Sequence, residues 1–134
     1  MNRAVIVCGL MLFVFAGCRH EDDIQKYFYD NKAKFDDLVK ASLSNNGSNA
    51  RVKLEEELGV WGVNLDQSGC DTNQTYDQVR LHMDNDVYVD GMLWDCSYYY
   101  IYSVCPQDSF HYVSNNVTQG WLTPHWTYFI EKGL

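Results

Sequence analysis

An α+β fold, with one N-terminal amphipathic helix packed on a small antiparallel β-sheet, is predicted by three features of the sequence. Apolar side chains recur at helical spacing between Glu21 and Leu43. After residue 58 the period shortens toward two, and two later segments are aromatic and β-branched without a breaker. With 134 residues, 46% of them hydrophobic, and only 2 Pro, the chain carries material for one packed core and lacks the polar composition of a disordered chain.

In chain order, Ile24, Phe28, Phe35, Leu38, Val39 and Ser42 fall near one stripe of a helix running from Glu21 to Leu43. Glu21, Asp22 and Asp23 occupy its first turn, where acids favour the helix dipole, and Lys40 its last. Asn31 lies within the stripe and Tyr27 beside it; a buried amide capping a loop accounts for Asn31 better than an active role does. Ser42 to Asn49 is polar, contains Gly47 and has no period, hence a loop. Arg51 to Leu58 fits a short helix closed by Gly59, although its apolar residues also fit a strand. Val60, Gly62 and Asn64 alternate with Trp61, Val63 and Leu65, a strand pattern that ends in the turn residues Asp66 to Asp71. From Tyr76 to Met83 the alternation of Val79, Leu81 and Met83 favours a strand over the helix that Tyr76, Val79 and Met83 would also fit. Ser97 to Val104 is the best-defined strand, with Tyr98, Tyr100 and Tyr102 on one face and Tyr99, Ile101 and Ser103 on the other. Trp126 to Ile130, after Pro124, is the last strand.

The first twenty residues are of another kind. Arg3 precedes an apolar run from Ala4 to Ala16, which as a helix would rise only about 20 Å against a hydrocarbon core of ~30 Å. That pattern fits the basic and apolar regions of an export signal better than a membrane span. The run ends in Phe15-Ala16-Gly17-Cys18, which resembles the lipobox of bacterial lipoproteins. Ala16, Gly17 and Cys18 match the family's pattern; Phe15 stands where Leu or another aliphatic residue is usual. The resemblance implies that residues 1–17 are a signal peptide and that 18–134 form a single small domain tethered through Cys18, lipidated with several palmitate-type acyl chains. One such chain binds a membrane marginally and two or more bind it stably. Arg19 rather than Asp follows Cys18, so the family's usual inner-membrane retention signal is missing. Outer-membrane delivery, with the domain in the periplasm or at the surface, is the expectation.

Eighteen acidic side chains oppose ten basic ones, a formal net charge of −8. This balance argues against nucleic acid as a partner, since phosphates require clustered Lys and Arg. It also opposes anionic headgroups, so lipid and not charge must hold the domain at a membrane.

Chemistry-bearing patterns are sparse. His20, His82, His111 and His125 include no i, i+3 or i+4 pair, so no helical zinc site is encoded. Asp84-Asn85-Asp86 lacks the Gly and Glu that complete a calcium loop, and Glu55-Glu56-Glu57 fits a solvated face. There is no GxSxG elbow and no Gly-rich phosphate loop. Cys105 with His111 or His125 is a conceivable Cys-His pair, but in an oxidising compartment Cys70, Cys96 and Cys105 are better explained as one disulfide and a spare. Cys96 and Cys105 flank a strand and would lie roughly 30 Å apart, whereas a disulfide needs less than about 7 Å. A bridge must therefore use Cys70. Cys96 is its favoured partner, because the turn at Pro106 leaves Cys105 at a loop edge.

The chain also has 10 Tyr, 4 Trp and 6 Phe, more rings than a small core is expected to hide. Tyr and Trp dominate interface hot spots, so Tyr98, Tyr100, Tyr102, Trp121 and Trp126 are the candidate binding-surface residues. At least one of Tyr98, Tyr100 and Tyr102 is expected to lie exposed on the face away from the helix. The functional expectation is an envelope-anchored, non-catalytic lipoprotein, without metal or cofactor, that binds a protein partner or a glycan. The alternative is a periplasmic immunity protein that inhibits a toxic enzyme. A cell-wall-acting enzyme is the third class, for which carboxylates exist but no pairing is visible.

Overall fold

A computed structural model of the chain describes residues 21–44, 48–71, 73–83 and 96–132. The export signal, Cys18, His20 and Asp84-Asn85-Asp86 lie outside the described residues, as does the side chain of Cys96.

The predicted N-terminal helix is present as two: α1 (Glu21–Asp30) and α2 (Lys32–Leu43). The interruption is at Asn31, whose backbone leaves helical geometry at φ −119° and ψ 14°. Its side-chain Nδ2 donates to the Tyr27 carbonyl at 3.0 Å, offering that carbonyl a partner outside the regular ladder. Phe35 N still donates to Asn31 O at 3.1 Å, so the two helices remain linked across this residue. Every residue of the predicted stripe is buried: Ile24, Phe28, Phe35, Leu38, Val39 and Ser42. Ser42 satisfies its hydroxyl on Leu38 O at 2.8 Å. Arg51 to Leu58 resolves to helix, as part of α3 (Asn49–Leu58), closed by Gly59 in the left-handed region at φ 72°.

Among the described residues six antiparallel strands follow: β1 (Val60–Asp66), β2 (Gln78–Met83), β3 (Cys96–Ser103), β4 (His111–Val113), β5 (Val117–Thr123) and β6 (Trp126–Lys132). They form one sheet in the order β1-β2-β3-β6-β5-β4. The chain is thus an α+β fold with three helices among the described residues. The helices lie on one face of the sheet, where their buried residues join Val79, Leu81, Tyr98, Tyr100, Leu122, Trp126, Tyr128 and Ile130 in a single apolar cluster. Phe28 and Phe35 stack at 5.7 Å and both reach the Tyr100 ring. Burying a side chain of this size stabilises by about 1.5 to 3 kcal/mol, which makes the α1–α2 stripe the main adhesive between layers.

Tyrosines enter this core because their hydroxyls find acceptors there. Tyr100 donates to Ile24 O at 2.6 Å and Tyr27 to Leu58 O at 2.8 Å. The sequence-level expectation that one of Tyr98, Tyr100 and Tyr102 is largely exposed on the far face is therefore corrected. Tyr98 and Tyr100 are buried, and half-buried Tyr102 packs on the same core against Trp126. The alternation along β3 holds, but the helices cover the opposite face from the one expected.

Candidate functional site

The other face of the sheet carries the candidate site. Antiparallel register places Gly62, His82, Tyr99, Phe129, Gln119 and Tyr112 in one line across all six strands. Partners directly opposite on neighbouring strands share a face, so this line is a physical row. A bulge between Val60 and Gly62 turns Trp61 outward beside it. Trp61 is 66% exposed, the most exposed of the large apolar side chains among the described residues. Its ring lies 5.0 Å from His82, His82 lies 5.3 Å from Tyr99, and Tyr99 stacks on Phe129 at 4.8 Å with an interplanar angle of 9°. The indole Nε1 donates to Met83 O at 3.1 Å, which fixes the ring despite its exposure.

One row along, Asn64, Arg80, Ile101, Thr127 and Trp121 are aligned in the same way. Ile101 and Thr127 are buried, forming a floor between taller side chains. The Arg80 guanidinium sits over the Tyr99 ring, 5.2 Å from its centroid. These contacts set the local electrostatics. Burial, reinforced by the Arg80 charge and only partly offset by Asp66, holds the His82 pKa below the usual histidine range. Burial and the Glu131 charge push the Tyr99 hydroxyl up against the opposing effect of Arg80. The neutral form of His82 is thereby favoured, and Arg80 is the one Lys or Arg among the described residues of these rows.

Two polar clusters lie elsewhere and organise the scaffold. At the helix side, Glu21 accepts hydrogen bonds from the Tyr128 hydroxyl and pairs with His111 Nε2 at 2.7 Å, while Gln25 donates to Tyr128 at 3.1 Å. Burial raises the Glu21 pKa, but the hydrogen bonds from Tyr128 and His111 and the attraction of His111 outweigh it, for a net lowering. Burial, then the bond to Glu21, pushes the Tyr128 hydroxyl up to about 12. Tyr128 reaches Glu21 by lying over Gly120, where any Cβ would come within 2.3 Å of its hydroxyl.

At the end of the sheet where β1 turns into β2, buried Asp77 accepts from the backbone N–H groups of Ser68, Cys70 and Asp71. The Ser68 N–H contributes most to holding its carboxyl down at about 2, against the opposing effect of burial. The same loop is bridged by a disulfide between Cys70 and Cys105, with Cα atoms 6.0 Å apart. The expected Cys70–Cys96 pairing is thus corrected. Cys70 does bond the cysteine at its own end of the sheet, but that is Cys105: Gln78 pairs with Ser103 there, whereas Cys96 pairs with Lys132 at the other end. Val104 N donates to Asp77 O at 2.9 Å, tying the two loops beside the bridge.

Of the binding-surface residues expected from sequence, the structure places Trp121 on the open face, half-buried, with Nε1 donating to Gln107 O at 3.0 Å. Tyr98, Tyr100, Tyr102 and Trp126 belong to the core side, and Trp126 donates to Asp36 Oδ1 at 2.9 Å. Cys105, being bridged, has no thiolate to pair with His111 or His125. Glu55 and Glu57 on α3 form ion pairs with Arg51 and with Lys34 and Lys53. Among the described residues no group of three or more His, Cys, Asp or Glu side chains is arranged to hold a metal, and no helix is long and apolar enough to cross a membrane. Trp61, Arg80, His82, Phe129 and Tyr112 were missed by sequence reasoning. Trp61 needed the bulge between Val60 and Gly62 that turns it outward, and Phe129 needed the register with Tyr99. Comparison with protein-family models, curated proteins and solved structures finds no match.

Proposed function

We propose that the chain is an envelope-anchored bacterial lipoprotein, tethered through Cys18, whose helix-free sheet face binds a protein partner without catalysing a reaction. The observation that carries the binding reading is the row of Trp61, His82, Tyr99 and Phe129 on the face opposite the helices. A contiguous aromatic face with a fixed tryptophan and an arginine beside it has the composition of an interface hot spot. The tethering reading rests on Phe15-Ala16-Gly17-Cys18 at the end of the apolar run.

A protein is favoured over a glycan by ring geometry. Sugars pack their C–H faces on open aromatic faces, but Tyr99 and Phe129 turn their faces to each other and leave edges outward. Edges and gaps suit interdigitating side chains.

The test is capture from envelope extract by the full chain and by a Trp61→Ser/Phe129→Ser variant in parallel. The reading expects a partner retained by the unsubstituted chain and lost with the variant, while circular dichroism of the two is the same. Equal retention by both would overturn it. A captured partner that proves to be a toxic enzyme inhibited by the chain would make the interaction one of immunity.

A further inference from the structure

Arg80 is held but not saturated. Its guanidinium carbon lies 5.2 Å from the Tyr99 ring centroid, and among the described residues its Nε is buried without a hydrogen-bond partner and the Asp66 carboxylate approaches Nη2 only to 3.9 Å. That distance balances charge without making a hydrogen bond. The side chain is nevertheless 36% exposed, so its surface toward solvent belongs to atoms other than Nε. A guanidinium has five N–H donors in a fixed fork matched to a carboxylate, and here the Tyr99 ring beside it restricts where the fork can sit. Water competes least for such a donor where apolar groups flank it, as Tyr99 and buried Ile101 do here.

Resting on the reading of this face as a protein-binding surface, we propose that Arg80 is its electrostatic anchor and takes an Asp or Glu carboxylate that the partner presents between apolar side chains. The overall charge of −8 opposes an acidic partner at long range. Screening over a Debye length of about 8 Å confines that repulsion, so at contact the nearest charges decide. Those are Arg80, which attracts, and Asp66 and Glu131, which oppose. Asp66 therefore lowers the affinity for an anion, and this gives the proposal a signature that simple apolar docking lacks.

The experiment is an NMR titration of the full chain in zwitterionic lipid nanodiscs with two acetylated, amidated probe tripeptides, Tyr-Glu-Tyr and Tyr-Gln-Tyr. The Arg80 Nη–H resonances are expected to shift with the Glu probe, which binds about tenfold more tightly than the Gln probe, as a charge-assisted hydrogen bond requires. Asp66→Asn is expected to tighten the Glu probe alone. Arg80→Met is expected to bring the Glu probe down to the level of the Gln probe, and Arg80→Lys, which keeps the charge and loses the fork, to retain only part of the preference. Equal binding of both probes across Trp61, His82 and Phe129 would overturn the carboxylate proposal while leaving the face as a binding surface. A preference that survives Arg80→Met would overturn it too, and no shift on the face with either probe would count against both.

Discussion

Single atoms decide two features at the residue scale. Gly120 is a slot: with hydrogen in place of Cβ, Tyr128 lies over the strand and its hydroxyl reaches Glu21 on α1. Gly120→Ala must push a buried ring aside, and the cost of such overpacking is about 1 to 3 kcal/mol. Denaturant unfolding checks it, with the Tyr128→Phe variant separating loss of the hydroxyl from displacement of the ring. Asp77 acts through charge. Its carboxyl is held at about 2, below the ordinary 3.8, chiefly by the Ser68 N–H. A depressed carboxylate contributes stability that is fully present above its unfolded value and fades as protons bind the folded form. The contribution of Asp77 is therefore complete above about pH 4 and lost as pH falls toward 2. Asp77→Asn is expected to be less stable at neutral pH, with the difference from the unsubstituted chain narrowing across that window in pH-dependent thermal melts. Neither role was legible in the sequence, because Gly120 and Asp77 draw their meaning from partners on other strands and loops.

Elements were legible where local periodicity and burial agree. The α1–α2 stripe and the bodies of β1, β2, β3 and β6 follow from alternation and helical spacing, since one buried face imposes its period on the chain. The break at Asn31 was not visible because a single amide on a helical stripe satisfies the pattern, and its hydrogen bond to Tyr27 O is a geometric matter. Strands β4 and β5 escaped notice for a related reason. His111-Tyr112-Val113 is three residues on an edge with every side chain exposed, and β5 contains Gly120 and a bulge between Trp121 and Thr123. The candidate site was half legible: which tyrosines of β3 share a face follows from alternation, but which face the helices cover depends on tertiary packing. The disulfide illustrates the same division. Strand length excluded Cys96 with Cys105, and only the strand register selects Cys105 for Cys70. Peptide mapping of the unreduced protein is expected to recover Cys70 linked to Cys105. With a sequence separation of 35, removing the bridge by Cys70→Ala/Cys105→Ala is expected to cost about 4 kcal/mol by the loop-entropy estimate.

On the scale of the whole molecule, the proposed tether at Cys18 precedes the helix layer in the sequence. Cys18→Ser is expected to abolish incorporation of labelled palmitate and to block processing, read by fatty-acid labelling and membrane fractionation; an unchanged, still-labelled protein would refute the tether. The central claim is that partner binding uses the open sheet face and not the helix layer, and in-cell photo-crosslinking tests it most directly. A photoreactive residue placed at Trp61 or Phe129 on the sheet face is compared with one at the exposed positions Tyr29 and Val52 on the helices. The account predicts a discrete crosslinked species from Trp61 and Phe129 and none from Tyr29 or Val52. Crosslinks confined to Tyr29 and Val52 would contradict it.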